Sequence, residues 1–475
     1  MRFTEYQNGT EEKQDQLMDV RESATIHESR KFYIESYGCQ MNLNDSEIVA
    51  SILIDNHFLP TDNIEQADLI LVNTCSIREK AEETVRRRLY QFRSLKDRNP
   101  GILIGILGCM AERLKQKLLE DEKIVDLVVG PDAYRDLPRL IANTGEGETG
   151  INVFLSREET YADISPVRLT GNGVTAFFSI MRGCDNMCTF CVVPYTRGRE
   201  RSRDPYSVIA EATDLFSKGF REITLLGQNV DSYKWEQPDG KGKVNFAQLL
   251  EKIAGIHPDM RVRFSTSHPK DITDDVLYTM TRYENICRYI HLPVQSGSNK
   301  ILHLMNRSYD KAWYQGKVDR IYEIIPECAI SSDIIAGFCE ETEDDHLDTI
   351  EVMKYSKYSA SYMFMYSERP GTPASTRLKD NVPEGIKKKR LQEIIALQNE
   401  LSYRHNSLDI GKTFKVLIEG DSKRSAEHYM GRNSQNKVIV FPKLNDYSPG
   451  EYAWVRVNKA TSATLIGEIH GSAQV

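Results

Sequence analysis

The chain has 475 residues, enough for about three domains at roughly 150 residues each, with a packed core in every one. Its 61 Lys and Arg against 69 Asp and Glu give a formal charge of −8, which excludes a uniformly basic nucleic-acid wrapper but allows a local basic stripe. Apolar runs such as Gly101–Leu107 fall far short of the about 20 residues that cross a bilayer, so no membrane partner is expected. The start, Met1-Arg2-Phe3-Thr4-Glu5, has no apolar signal segment, which predicts a reducing, cytoplasmic location. Nine cysteines in that setting point to metal or thiol chemistry rather than to disulfides.

Residues 1–30 are acidic and poor in large apolar side chains, and they read as a disordered leader. From Lys31 a unit recurs: an apolar strand, a cysteine, then a polar-capped helical stretch. Its instances are Lys31–Tyr37 before Cys39, Asp68–Thr74 before Cys75 and Ile102–Gly108 before Cys109. Alternating strands and helices predict a parallel sheet whose strands all end on one edge, where ligands bind. The three cysteines are therefore expected to converge although they are far apart in sequence. This first domain is placed at 31–148, closed by a Gly-rich link at 143–150.

A second alternation follows Gly173. Its expected strands are Ala176–Met181, Glu222–Leu226, Arg261–Thr266, Arg288–Leu292, Ala329–Ile335 and Ser361–Tyr366. Amphipathic runs mark helices at Pro205–Ser217, Phe246–Ala254, Lys311–Ile325 and Asp344–Lys357. Six units predict a partial (β/α)6 barrel with its active residues at the C-terminal strand ends. A long helix at Pro383–Asn406 completes this domain, 170–406, and its run Lys387-Lys388-Lys389-Arg390 reads as a solvated face. From Gly411 the pattern changes to short β segments, Thr413–Glu419, Lys437–Phe441, Glu451–Asn458 and Thr464–Ile469, which predict a small all-β barrel over 407–471. A slight basic excess there favours an RNA surface. The fold class is thus α/β: an N-terminal parallel-sheet domain, a central partial barrel and a C-terminal all-β barrel.

The chemistry centres on Cys184-Asp185-Asn186-Met187-Cys188-Thr189-Phe190-Cys191, a C-x3-C-x2-C run after the first barrel strand. Three thiolates at this spacing can ligate three irons of a four-iron cluster and leave the fourth open to a substrate. A closed structural zinc site needs a fourth protein ligand, and none follows nearby. The run, with an aromatic before its last cysteine at the first strand end of a six-unit barrel, resembles the radical S-adenosylmethionine superfamily. That resemblance implies that the open iron chelates S-adenosylmethionine, with Phe190 and Val192 bordering the adenine. It also implies that Gln228, Asn229, Ser265, Ser267, Gln295 and Asp333 are candidates for the methionyl or ribose groups. Cys39, Cys75 and Cys109 then suit a second [4Fe-4S] cluster with three cysteine ligands, whereas Cys287, Cys328 and Cys339 read as structural.

Two three-cysteine sets, a partial barrel and a terminal β-barrel resemble the methylthiotransferase family from Lys31 to Ile469. The segment Tyr37-Gly38-Cys39-Gln40-Met41-Asn42 is similar to its tRNA branch, which makes 2-methylthio-N6-isopentenyladenosine. Asn73-Thr74-Cys75-Ser76-Ile77-Arg78, Gly108-Cys109-Met110-Ala111-Glu112 and Ser367-Glu368-Arg369-Pro370-Gly371-Thr372-Pro373 fit too, and the terminal barrel looks like the RNA-binding TRAM module. Sister branches modify threonylcarbamoyl-adenosine or a ribosomal-protein aspartate, and Gln40-Met41 is the local reason for preferring the first branch. The resemblance implies methylthiolation at adenine C2 of position 37, with one S-adenosylmethionine methylating a sulfur on the auxiliary cluster and a second supplying a 5′-deoxyadenosyl radical. Implied partners are tRNA with an isopentenylated adenosine at position 37, a flavodoxin-like or ferredoxin-like electron donor, and iron-sulfur assembly and sulfur donor proteins. Arg197, Arg199, Arg201 and Arg203, alternating beyond the run, are expected to contact anticodon-loop phosphates. The rival from another class is a non-catalytic RNA-binding or iron-sulfur carrier protein.

Overall fold

The computed structural model describes residues 30–76, 79–144, 149–169, 171–237, 239–240, 242–444 and 446–470. The expected leader and part of the Gly-rich link lie outside the described residues. Two compact units result: 1–169 with Tyr195–Gly198, and 170–194 with 199–475.

The first unit is a six-stranded, all-parallel sheet of β1 (Lys31–Tyr37), β2 (Leu59–Pro60), β3 (Leu69–Thr74), β4 (Leu103–Gly108), β5 (Leu127–Val129) and β6 (Gly150–Asn152), in the order β2-β1-β3-β4-β5-β6. β3 reads Leu-Ile-Leu-Val-Asn-Thr and is buried throughout, as a central parallel strand covered on both faces must be. Leu69 and Leu71 enter one core with Leu53, Leu107 and Leu127, while Ile70 and Val72 enter the other with Leu89, Phe92 and Ile104. The period-2 alternation of strand side chains thus divides one apolar run between two layers of helix. Strands β2, β5 and β6 are only two or three residues long, too short to mark a strand in the sequence, although Leu127–Val129 divides between the same two cores.

The second unit contains six parallel strands in two three-stranded groups. β7 (Thr175–Ser179) leads to β8 (Met181–Arg182) and β9 (Arg201–Ser202), an antiparallel pair that brackets the C-x3-C-x2-C run. Then come β10 (Glu222–Leu226), the hairpin β11 (Lys234–Glu236) and β12 (Lys243–Asn245), and β13 (Arg261–Ser265), giving the group β13-β10-β7. β14 (Tyr289–His291), β15 (Ala329–Ala336) and β16 (Ala360–Met365) form the group β14-β15-β16. A single parallel bridge between Val262 and Ile286 joins the two into the partial barrel. One apolar core runs beneath both, from Phe178 and Leu225 through Phe264 and Ile290 to Ile330 and Ile394.

The helix Glu384–Ser407 corrects the reading of its basic run. Lys388 and Lys389 are exposed, but Lys387 and Arg390 are only 5% exposed and reach inward to Asp380 and Glu341. Four consecutive residues cover a full helical turn, so no four-residue run can lie on one solvated face.

Strands β17 (Thr413–Ser422), β18 (Ser425–Arg432), β19 (Val438–Pro442), β20 (Tyr452–Ala460) and β21 (Leu465–Ile469) close into a barrel. It joins the α/β part of the same unit through two arginines. Arg261 donates to the carbonyls of Arg432 and Lys415, and Arg263 donates to those of Ser434 and Asn433 while its Nε stands 2.8 Å from Glu222. Among the described residues, no helix is long and apolar enough to cross a membrane.

Candidate iron-sulfur sites

The first site is built at three parallel strand ends. Cys39 follows β1 and is the N-cap of helix Gln40–Asp55, with Asn42 accepting from both its backbone N–H and its thiol. Cys75 follows β3, and Cys109 opens the helix after β4. Two glycines make the approach possible. Gly38 has φ +132° and a Cβ there would stand 2.4 Å from Cys75 Cβ; Gly108 has φ +85° and a Cβ there would stand 2.3 Å from Asn73 Oδ1. Buried amides then lock the strand ends together: Asn42 donates to Asn73 Oδ1, and Asn73 donates to the Asn42 carbonyl and to Ser46 Oγ.

The trio has a distinct electrostatic setting. A hydrogen bond from Cys75 pulls the Cys39 thiol below its ordinary value, assisted by the Arg197 charge. Burial pushes Cys109 up, and Arg197 opposes that shift. Arg197 is therefore not a phosphate contact. Its side chain is 3% exposed and pairs with Asp45, whose own side chain is 0% exposed.

The other three arginines sit elsewhere. Arg203 is buried against Glu211 and Ser207, and Arg201 is buried in β9. Only Arg199 is exposed, and it folds onto Asp185 inside the cysteine run. The expected basic stripe facing RNA is corrected on this point. An alternating spacing reads the same whether the side chains meet solvent or buried carboxylates.

The second site begins after β8, where Gly183 at φ +77° turns the chain into Cys184. Cys184 and Cys188 are buried and Cys191 half-buried, with the Cys191 N–H on the Cys188 carbonyl. Burial raises Cys184 to about 11 and Cys191 to about 12, the latter with the Cys188 charge adding. Loading a metal group here must release protons, because the ligand is the thiolate.

A turn without a recognisable sequence signature grips this loop. The Leu304 and Met305 carbonyls accept from Thr189 Oγ1 and N, Asn306 donates to the Met187 carbonyl, and Arg307 Nη1 stands 3.4 Å from Cys188 Sγ.

The candidate S-adenosylmethionine residues divide into groups with open polar atoms and groups already engaged. Phe190 meets Phe338 edge-on at 6.4 Å, and Val192 is buried beside it in the loop. After β10, Gln228 Oε1 is buried with no hydrogen-bond partner. Asn229, in contrast, spends its amide on Asp271 and on the His268 N–H.

Ser265 ends β13, and between it and the buried Ser267 lies Thr266 at φ +78°, a conformation that costs a β-branched residue about 1–3 kcal/mol. Ser267 faces Asp231, whose carboxyl burial pushes up to about 7; neither carboxylate oxygen has a partner of ordinary hydrogen-bond geometry. Asp231 was not foreseen, since a lone acidic residue in a 3-10 turn carries no pattern. Gln295, at φ +72°, is held by backbone bonds to Asp333 and Ile335, and Asp333 lies 3.5 Å from His291 Nε2.

Each set offers three thiols, the number of protein ligands that a four-iron cluster with one open iron takes. A zinc site needs its sulfurs about 2.3 Å from one point, and no three Cys, His, Asp or Glu side chains among the described residues are so grouped. A cube places each thiolate on its own iron, which suits thiols on separate strand ends or separated by loop residues.

The matches to known families follow this division. Residues 31–130 match the model described as Uncharacterized protein family UPF0004, 178–353 match the Radical SAM superfamily, and 408–470 match the TRAM domain. The tRNA-2-methylthio-N(6)-dimethylallyladenosine synthase of Amoebophilus asiaticus (strain 5a2) is 63% identical over 451 residues, 93% of each chain. That of Christiangramia forsetii is 59% identical over 452 residues, covering 93% of this chain and 94% of the relative. Among solved structures, the radical S-adenosylmethionine methyltransferase TsrM from Kitasatospora setae shares the fold at TM-score 0.55 and 15% identity, covering 73% of this chain and 75% of its own. The cysteine run and its barrel are thus those of a radical S-adenosylmethionine protein. The chain belongs to the tRNA-2-methylthio-N(6)-dimethylallyladenosine synthase family.

Proposed function

We propose that the chain converts N6-isopentenyladenosine at position 37 of tRNA to its 2-methylthio derivative, using two S-adenosylmethionine molecules. The observation that carries this reading is the pair of separate three-thiol sets, one at three parallel strand ends of the first unit and one in the loop after β8 of the second, in a chain 63% identical to a relative of that name. When bound, the two cofactors supply methyl transfer and a 5′-deoxyadenosyl radical able to take hydrogen from adenine C2, a position that acid-base chemistry cannot readily deprotonate.

The protein holds and aims these reagents. Cys184, Cys188 and Cys191 hold one [4Fe-4S] cluster, and Cys39, Cys75 and Cys109 hold the second. Gln228, Ser267 and Asp231 offer open polar atoms to S-adenosylmethionine, Phe190 and Val192 offer an apolar wall to its adenine, and Gln295, beyond the end of β14, donates its backbone N–H to the Asp333 carbonyl within β15. A flipped-out loop base suits such a site, because single-stranded bases are the ones most easily splayed. On the terminal barrel, Trp454 and Arg456 are exposed on one face, with Lys415 paired across from Trp454; an aromatic among cations suits RNA. The functional pieces are 31–148, 170–406 and 407–471. A low-potential flavodoxin-like or ferredoxin-like donor, sulfur-supplying partners and a cytoplasmic location complete the reading.

The test is mass spectrometry of tRNA nucleosides from cells with and without the protein. Loss of 2-methylthio-N6-isopentenyladenosine, with accumulation of its unthiolated precursor, is expected. Loss of a threonylcarbamoyl derivative instead would move the chain to a sister branch, and unchanged nucleosides would favour the carrier reading.

A further inference from the structure

We infer that Arg307 is a positioning residue for the reductive step: by donating to Cys188 Sγ it raises the reduction potential of the cluster held by Cys184, Cys188 and Cys191. The inference rests on the proposed role of that run.

The geometry is that of a built site. Arg307 Nη1 reaches Cys188 Sγ at 3.4 Å, Nη2 donates to the Pro293 carbonyl at 2.8 Å, and Nε donates to Tyr309 Oη at 2.8 Å. The guanidinium also lies over the Tyr309 ring, 5.0 Å from its centroid, and Tyr309 Oη itself bonds to the Pro293 carbonyl. A planar fork can serve three acceptors at once in a fixed orientation, which a lysine cannot do. No carboxylate among the described residues pairs with Arg307, so its charge is not neutralised locally. The same turn holds the residues on either side of Cys188 through Asn306 to the Met187 carbonyl and through Thr189 to Leu304 and Met305. The cation therefore keeps its register on one sulfur.

The direction of the effect follows from charge. One electron arrives from a low-potential one-electron donor and no proton moves, so the cluster and its thiolates gain a full negative charge. Hydrogen bonds to the sulfurs and the net charge of the surroundings set such potentials. A cation beside Cys188 stabilises the reduced form and makes reduction easier.

The experiment is an EPR-monitored redox titration of the full-length reconstituted chain in the Cys39→Ala/Cys75→Ala/Cys109→Ala background, so that one cluster reports. Arg307→Met and Arg307→Gln are expected to lower the reduced-to-oxidised ratio at a given potential about tenfold, ~59 mV for one electron, whereas Arg307→Lys, which keeps the charge without the fork, falls between these and the unsubstituted value. Equal midpoints in all four proteins, with iron retained, would overturn the inference and leave the role of the run intact. If Arg307→Met loses its iron, Gln against Lys decides. Iron loss in all three would also overturn the inference, because the arginine would then be holding the loop rather than tuning it. Full iron retention in a Cys184→Ala/Cys188→Ala/Cys191→Ala protein would instead defeat the underlying assignment.

Discussion

Asp45 and Arg197 form a 2.8 Å ion pair across 152 positions of sequence, with both side chains buried. Arg197 lies just beyond the C-x3-C-x2-C run, yet it belongs to the first unit, where its charge acts on Cys39 and Cys109. A basic side chain beside thiolates favours their charged, metal-binding form. The pair thus links the stability of the first unit to the readiness of its cysteines.

Breaking a buried pair from one side leaves an uncompensated charge and costs about 3–5 kcal/mol. Asp45→Asn is expected to destabilise the first unit by that order in urea unfolding, while Arg197, still charged, keeps favouring the thiolates of the trio and iron at Cys184, Cys188 and Cys191 is untouched. An Asp45→Leu/Arg197→Met double variant should recover most of the stability, since no lone charge remains, but should deplete iron at the trio. A double variant that binds iron normally would show that Arg197 serves the fold alone.

This pair marks where sequence reasoning ends. The strand-then-cysteine pattern was legible because a parallel strand buried on both faces is a continuous apolar run, as in Leu69–Val72. Likewise Pro205–Ser217 and Phe246–Ala254 have the observed helix bounds, since Asp204 and Asn245 cap them recognisably. Strand Ser425–Arg432 was missed, since Ser-Ala-Glu-His-Tyr-Met-Gly-Arg offers only Tyr429 and Gly431 to the interior. The partners of Arg197, Lys387 and Arg307 were invisible because tertiary pairing has no local period. Thr266 and Gln295, both at positive φ, gave no warning, as neither residue type advertises that conformation.

The two thiol sets are expected to separate functionally. A Cys39→Ala/Cys75→Ala/Cys109→Ala protein should still cleave S-adenosylmethionine to 5′-deoxyadenosine when reduced, yet form no methylthio product, whereas Cys188→Ala should abolish the cleavage. Methyl transfer to sulfur is a polar displacement and needs no electron. The intact protein, incubated with methyl-labelled S-adenosylmethionine without reductant, should therefore release labelled methanethiol on acid quench, and the triple variant should not. Equal release from both would mean that the trio does not hold the methyl acceptor.

Substrate choice gives a third expectation. Burying the about five carbons of an isopentenyl group at roughly 0.8 kcal/mol per CH₂ contributes a few kcal/mol of recognition. Turnover should thus be strong on tRNA carrying N6-isopentenyladenosine and at least tenfold weaker on the unmodified adenosine, about 1.4 kcal/mol or more. Comparable kcat/KM on both, or turnover confined to threonylcarbamoyl-adenosine, would overturn the choice of branch made from Gln40-Met41.

The junction between the long helix and the terminal barrel should be acid-sensitive through His405. Its Nδ1 accepts from Lys437 Nζ at 2.8 Å, and the same ammonium pairs with Asp409. Burial first and the Lys437 charge second pull His405 from 6.5 to about 4, since a protonated ring could not accept that bond. Above pH 6.5 the ring is neutral in both folded and unfolded chains and the contribution is intact. As pH falls from 6.5 towards about 4, the unfolded chain takes up a proton that the folded chain refuses, so stability declines; below about 4 this contribution levels off. At ~1.4 kcal/mol per pH unit, and with part of the ring open to solvent, the loss is about 2–3 kcal/mol. An Asn at 405 can still accept from Lys437 but does not titrate. Unfolding midpoints of the unsubstituted protein should therefore fall more steeply across this range than those of His405→Asn. Parallel pH profiles for the two would show that His405 is protonated in place without cost and that the junction is not the acid-sensitive element.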